Sequence, residues 1–311
     1  MRDRRGPVVV CGLVRNAVET LDQDVARIDA ALAGFDQVRW LLVESDSSDD
    51  TVARLAAMKA ARPGFDFLSL GRLADRTPER AERLALCRNA YLDRLREPGA
   101  YADCRFVAMA DMDLLNDRLS AAAVDSVFVR DDWDVATASQ TGPYYDIWAL
   151  RHPLWSPNDC EAAMAWLEAR GAKHWHAARL VEARQITLRP DMDWIEVDSA
   201  FGGFALYRRE ALLGAGRYDA RAPDGSLQSE HVALHAAMRA EGRRLFVVPS
   251  LVNAQHTEHT SPEFIARVLS PQAPLQPAWR DRLAGALRRA ARRRLLGWPL
   301  RALGLGRPGG R

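Results

Sequence analysis

The sequence predicts an α/β fold: a mostly parallel sheet flanked by helices, then a half of mixed α and β character and a basic C-terminal tail. Three observations carry this expectation. Four short apolar runs in the first 116 residues alternate with stretches whose apolar residues recur at three- and four-residue spacing. Each of three runs (the first, second and fourth) stops abruptly in polar or charged residues, as strands do at a ligand-binding edge. The 311 residues, 48% hydrophobic and 27% charged, suffice for a substantial core.

Pro7 to Val14 reads as the first buried strand, ending in Arg15-Asn16. Leu21, Val25, Ile28, Leu32 and Phe35 then mark one face of a helix. Val38 to Val43 is the second strand, closed by Glu44-Ser45-Asp46-Ser47-Ser48-Asp49-Asp50-Thr51, a cluster dense in helix N-cap residues. A helix carrying Leu55 and Met58 follows, then a third strand from Phe65 to Leu70. A long helix starts at Pro78 and carries Leu84, Cys87, Tyr91 and Leu95. Phe106 to Ala110 is the fourth strand, and it runs into Asp111-Met112-Asp113.

Beyond Asp113 the pattern changes. Val135–Ala138 and Tyr144–Leu150 read as strands, Cys160–Arg170 as a helix, and Trp175 to Arg189 fits neither period. Trp194–Tyr207 reads as strand and loop around Gly202-Gly203, with a short helix to Gly214. Ser229–Glu241 is a helix and Arg244–Val248 a final strand. The expected division is a nucleotide-binding half over 1–116, an acceptor-binding and catalytic half over 117–269, and a Pro-rich linker with a basic tail over 270–311.

The net charge of +2 is unevenly spread. Residues 276–311 hold ten arginines against one acid, Asp281, a net +9, so the first 275 residues carry −7 of that total. In the tail Trp279, Leu283, Leu287, Leu295 and Trp298 fall roughly along one helical stripe, the pattern of an amphipathic segment on an anionic membrane surface. Two tryptophans are few stacking faces for an RNA-binding arm, and no nucleic-acid partner is expected. Cys11, Cys87, Cys104 and Cys160 form no Cys-x-x-Cys pair and read as reduced core thiols, hence a cytoplasmic protein, peripheral on the inner face of the membrane. The apolar stretch Val8 to Val14 is too short for a signal peptide, and no run is long enough for a membrane span.

Asp111 and Asp113 carry the chemistry. In extended chain residues i and i+2 point to one side, so both carboxylates can reach one ligand. Two hard oxygen donors at a strand's end suit Mn²⁺ or Mg²⁺. Arg15, Arg83 and Arg88 are candidates to pair with phosphates. A helical Glu230-His231-x-x-x-His235 also admits a Zn²⁺ hydrolase, although the Glu does not lie between the histidines.

Taken in order, Arg15-Asn16, Glu44-Ser45-Asp46, Arg88-Asn89 and Asp111-Met112-Asp113 resemble the nucleotide-sugar half of GT-A-type glycosyltransferases, which have a Rossmann-type sheet. Asp198-Ser-Ala-Phe-Gly-Gly-Phe-Ala-Leu-Tyr207 resembles the acceptor-side segment of that superfamily. Ser229-Glu230-His231 is similar to the segment that follows it in fungal Golgi and capsule mannosyltransferases. The resemblance implies a metal-dependent transferase that moves a sugar, mannose among the candidates, from a GDP- or UDP-sugar to a hydroxyl of a glycan or lipid-linked acceptor. It implies Asp111, Asp113 and His256 at the metal. Arg15, Asn16, Glu44, Asp46, Arg83, Arg88 and Asp111 would hold the nucleotide, with Glu230 as base or substrate-positioning acid and Asp198 in reserve. A sugar nucleotidyltransferase would share sheet and metal but needs a glycine-rich phosphate loop, where Cys11 to Asn16 has one glycine. A non-catalytic sugar- or membrane-binding protein is the remaining alternative.

Overall fold

The computed structural model describes residues 6–173, 179–214, 216–257 and 260. One eight-stranded sheet runs through them. Its strands are β1 (Pro7–Val14), β2 (Gln37–Glu44), β3 (Phe65–Ser69), β4 (Phe106–Asp111), β5 (Val135–Gln140), β6 (Ile195–Val197), β7 (Phe204–Arg208) and β8 (Leu245–Ala254). Their order is β3-β2-β1-β4-β7-β5-β8-β6. Strands β1 to β4 are mutually parallel and β5 pairs parallel with β8, whereas β7 lies antiparallel between β4 and β5, and β6 antiparallel on β8. The expected α/β class with a mostly parallel sheet stands.

Continuous rather than alternating apolar runs are what a sheet covered on both faces requires. In β1, Val8 and Val10 face one core with Leu21, Val25 and Ile28 of helix α1 (Leu21–Ala31) and Leu55 of α2 (Thr51–Ala61). Val9 and Cys11 face the other, with Tyr91, Leu92 and Leu95 of α3 (Arg80–Arg96). Short helices α4 (Ala121–Asp125), α5 (Cys160–Glu168), α6 (Arg179–Glu182) and α7 (Arg209–Gly214) precede α8 (Glu230–Ala240), whose Leu234 and Met238 join that second core. All four cysteines are buried and unpaired.

Two expectations fail for identifiable reasons. Tyr144–Leu150 is a loop, not a strand. Asp146 there accepts the backbone N–H of Gly202 at 3.0 Å and of Ala149 at 3.3 Å, and this side-chain capture of backbone donors competes with a sheet ladder. Strand β8 runs six residues past Val248, across Pro249. The β5–β8 register shifts between Thr137 and Ser139, and a ladder irregularity is where a proline without an N–H is tolerated. The tail expected over 270–311 lies outside the described residues. No helix among those described is long and apolar enough to cross a membrane.

Candidate active site

The parallel register brings three strand ends level. Val14 pairs with Glu44, and Leu13 with Asp111. The start of β7 meets the same edge, because Asp111 donates its N–H to the Gly203 carbonyl at 2.9 Å. Gly202 and Gly203 both have positive φ, +73° and +85°. A Cβ on Gly202 would sit 2.5 Å from the Ala138 carbonyl oxygen, so only glycine brings the chain this close. Three buried amides lock the junction. Asn116 donates to the carbonyls of Asp111 and Gly203, Asn253 to Asn116 Oδ1 and Gly202 O, and Gln140 to Gly202 O and Asn253 Oδ1. A fully satisfied buried network of this kind fixes one arrangement of the floor.

Over this edge opens a cleft of about 1,020 Å³. Arg15, Asp46, Arg83 and Arg88 line it, as do Asp111, Asp113, Glu230 and His256. Arg88 is 5% exposed at its side chain. Its Nε donates to Glu230 Oε1 at 2.8 Å, and its terminal nitrogen lies 3.6 Å from Asp111 Oδ1. The guanidinium lies over Phe201 at 5.0 Å and near Tyr218 at 5.8 Å, a caged cation between two carboxylates. Burial pushes the Asp111 carboxyl up to about 7, against the pull of Arg88 and with the help of Asp113, Asp146 and Glu230. His256 faces the Thr260 carbonyl through Nδ1 at 2.9 Å. A carbonyl only accepts, so Nδ1 carries a proton, and in the neutral ring this leaves the lone pair on Nε2, the tautomer of a metal-ligating imidazole.

Other sequence candidates stand elsewhere. Glu44 is buried behind the cleft, accepting from Ser47 N–H at 2.9 Å and the Ser69 hydroxyl at 2.5 Å, so its carboxylate braces the loop and is not presented to a nucleotide. Asn16, at φ +49°, accepts the Ser48 N–H at 2.7 Å and does the same work. Asp46 lines the cleft while its Oδ1 holds the Ala74 N–H at 2.8 Å, and Arg83 lies 3.8 Å from its other oxygen. Asp198 is outside the cleft, 57% exposed at its side chain and 3.4 Å from Arg239, so it cannot reach a substrate there. The Zn²⁺ arrangement does not form: His235 has both ring nitrogens engaged, by Ser199 Oγ at 2.9 Å and Tyr207 Oη at 2.8 Å. Among the described residues no three His, Cys, Asp or Glu side chains converge closely enough to hold a metal by themselves.

Two acids that periodicity does not single out belong to the site. Asp146 lines the cleft wall. Asp24, fully buried on the first turn of α1, reaches across the chain to accept the N–H of Leu114, a residue at φ +67°, at 3.2 Å. This bond holds the turn that presents Asp113. Asp24 Oδ1 is buried without a partner, and burial first, then Asp113, raises its carboxyl to about 6. The folded protein therefore holds this proton more tightly than the unfolded chain, whose value is near 3.8. Stability is lost as pH rises from about 4 to about 6, and the loss is complete above that window. The interval corresponds to about 3 kcal/mol. Asp24→Asn is expected to raise Tm at pH 7–8 and leave it unchanged near pH 4, measured by melting without divalent ions. A difference that does not widen with pH would refute this account.

No protein-family model and no curated protein matches the chain. Among solved structures, it is similar to a Pyrobaculum calidifontis mannosyltransferase in complex with GDP-Man and Mn²⁺ (16% identity, TM-score 0.40, covering 95% of this chain and 66% of that one). It is also similar to glucosyl-3-phosphoglycerate synthase from Mycobacterium tuberculosis with Mn²⁺, UDP and phosphoglyceric acid (15%, 0.41, 96% and 82%). Residues 1–349 of S. aureus TarS are a third match (17%, 0.40, 95% and 75%).

Proposed function

We propose that this chain is a glycosyltransferase that moves a sugar from a nucleoside-diphosphate donor to a hydroxyl of a glycan or glycoconjugate. The observation that carries the reading is the placement of Asp111 and Asp113, at the end of β4, on the same cleft as Arg15, Arg83 and the caged Arg88. Carboxylates for a cation and guanidinium groups for phosphates then share one cavity, large enough for a nucleotide and a sugar.

Mn²⁺ or Mg²⁺ fits the donor set. Such ions take one or two carboxylates from a protein and complete their shell with phosphate and water, so Asp111 and Asp113 would be the protein ligands, and His256, on the same cleft, does not converge with them closely enough to complete a three-residue site. Asp111, with its raised proton affinity and neighbouring acids, is a group that a cation would relieve. When bound, the ion would neutralise charge developing on the departing diphosphate. Arg15 would orient the phosphates, with help from Arg83, whose guanidinium also donates to the Thr77 and Pro78 carbonyls, and Arg88 would fix Asp111 and Glu230 relative to each other. Glu230, with one oxygen on Arg88, would then border the acceptor.

GDP-mannose is the first donor to assay. The test is a thermal-shift series with nucleoside diphosphates, with and without Mn²⁺, followed by donor hydrolysis. Stabilisation by no nucleotide in either condition overturns the reading.

The arginine-rich segment 276–311 extends the proposal to an anionic membrane surface on the cytoplasmic side, each basic residue near the surface adding about 1 kcal/mol. Deleting 276–311 is expected to abolish co-sedimentation with phosphatidylglycerol vesicles and leave nucleotide-dependent stabilisation intact. Equal co-sedimentation of the truncated protein would remove the tail from this role.

A further inference from the structure

The transferase reading assigns Arg15, Arg83 and the aspartates that close β4 to the nucleotide and leaves the rest of the cleft to the acceptor. Resting on that reading, we propose that the acceptor's sugar packs on Trp148 and is held through two adjacent hydroxyls by the carboxylate of Glu161.

Both side chains are within a ligand's reach. Trp148, on the loop after β5, packs against the core that contains Ile147 and Cys160, while Glu161 stands on the first turn of α5. Both line the cleft and both are half-buried, so part of each surface stays open.

Of the cleft's acids beyond β4, Glu161 is the uncommitted one. Asp146 accepts the N–H of Gly202 on one oxygen and that of Ala149 on the other. Glu230 accepts from Arg88 at 2.8 Å. The Glu161 carboxylate takes no hydrogen bond or ion pair among the described residues. Burial first, then Asp159, raises its proton affinity, and ligand O–H donors would relieve that desolvation. An ionised carboxylate only accepts, on two oxygens, and neighbouring hydroxyls of a pyranose can donate one bond to each. A phosphate or carboxylate ligand has no such protons and would add its charge beside Glu161 and Glu230, which already feel each other.

Acid and ring are also braced as one unit. Arg151 donates to the carbonyls of Trp148 at 2.9 Å and Leu150 at 2.8 Å, and its other terminal nitrogen pairs with Asp159. Asp159 caps α5 by accepting the Ala162 N–H at 2.8 Å, which fixes the turn that carries Glu161. The Cys160 thiol reaches the Ile147 carbonyl at 3.9 Å, so the residues preceding Glu161 and Trp148 touch. The backbone of Arg151 is bonded in turn to Asp198 and Ser199, just ahead of the Gly202-Gly203 floor. An aromatic face beside a fixed acceptor group suits a pyranose, whose C–H face is apolar and whose rim of hydroxyls is not.

The experiment is ligand-observed NMR titration of the full-length protein saturated with Mn²⁺ and whichever of GDP or UDP it binds. The ligands are methyl α-D-mannopyranoside and methyl β-D-glucopyranoside, against their fully O-methylated forms and 3-phosphoglycerate. At least one free glycoside is expected to bind about tenfold or more tightly than its O-methylated form and than 3-phosphoglycerate. E161Q should weaken that glycoside about tenfold, roughly the worth of one hydrogen bond to a charged acceptor, and W148A should weaken it too, each with the nucleotide's Kd unchanged. No glycoside bound, an O-methylated form or 3-phosphoglycerate bound as tightly, or native affinity in E161Q or W148A each overturn the proposal. Absence of nucleotide binding to the native protein sinks the transferase reading and takes this proposal with it, so the two failures are distinguishable.

Discussion

Asp113→Ala is expected to abolish the Mn²⁺-dependent rise in Tm that a nucleoside diphosphate gives the native protein, and to reduce sugar transfer by about a thousandfold or more. The magnitude follows from the several kcal/mol that a Lewis-acidic cation contributes to a transition state accumulating charge on phosphate. The unliganded protein should melt nearly as the native one does. Asp113 is exposed at the mouth of the cleft, past the end of β4; the substitution removes the Leu115 N–H bond to its Oδ1 at 3.2 Å but leaves Asp24 and Asn116 holding the turn from behind. Asp111→Ala should weaken metal-dependent binding as severely but disturb the unliganded protein as well, because it strips Arg88 of one of its two acids. Calorimetric titration of each variant with GDP or UDP, with Mn²⁺ and then with EDTA, separates the effects. Native-like, Mn²⁺-dependent nucleotide affinity in Asp113→Ala would overturn the metal assignment and the transferase reading with it.

What the sequence discloses and what it hides divide along a physical line. The buried runs from Val8 to Val14, Trp40 to Val43 and Phe106 to Ala110 are legible because a doubly covered strand is apolar along its buried length, a purely local property. That Asp111 and Asp113 close such a run is equally local. Contributions requiring the folded chain are not legible. Asp24 lies on the apolar-patterned α1, and only the fold brings it to Leu114, 90 residues away. Glu44 and Asn16 sit where strand-end residues meet ligands, but neighbouring N–H groups and hydroxyls claim their oxygens first. Tyr144–Leu150 has the composition of a strand, and Asp146 converts it into the loop that walls the cleft. A signal for Asp146 was present in part: an acid inside an apolar run calls for a partner, and backbone donors beside two glycines can supply one.

The caged arginine carries the second large effect. Arg88→Ala is expected to cost about 3–5 kcal/mol, the range for removing one partner of a buried ion pair, and to lower Tm by on the order of 10 °C. Alanine leaves Glu230, 5% exposed, and Asp111 facing each other without the cation that lies 2.8 Å from one and 3.6 Å from the other. It also opens a void between Phe201 and Tyr218, whose rings flank the guanidinium. Arg88→Lys should recover only part of the loss, because an ammonium cannot reproduce a planar group shared by two acids and two aromatic faces. The decisive measurement is a double-mutant cycle by chemical denaturation. If uncompensated charge dominates, Glu230→Gln in the Arg88→Ala background restores stability although the same change alone removes it. Additive losses would mean that the cavity dominates and that Arg88 is held chiefly by packing. On the proposed reading the distinction bears on catalysis, because an arginine held by charge would respond when a cation or a diphosphate entered beside Asp111. Nucleotide binding would then shift the balance between its two carboxylate partners and be felt at Glu230.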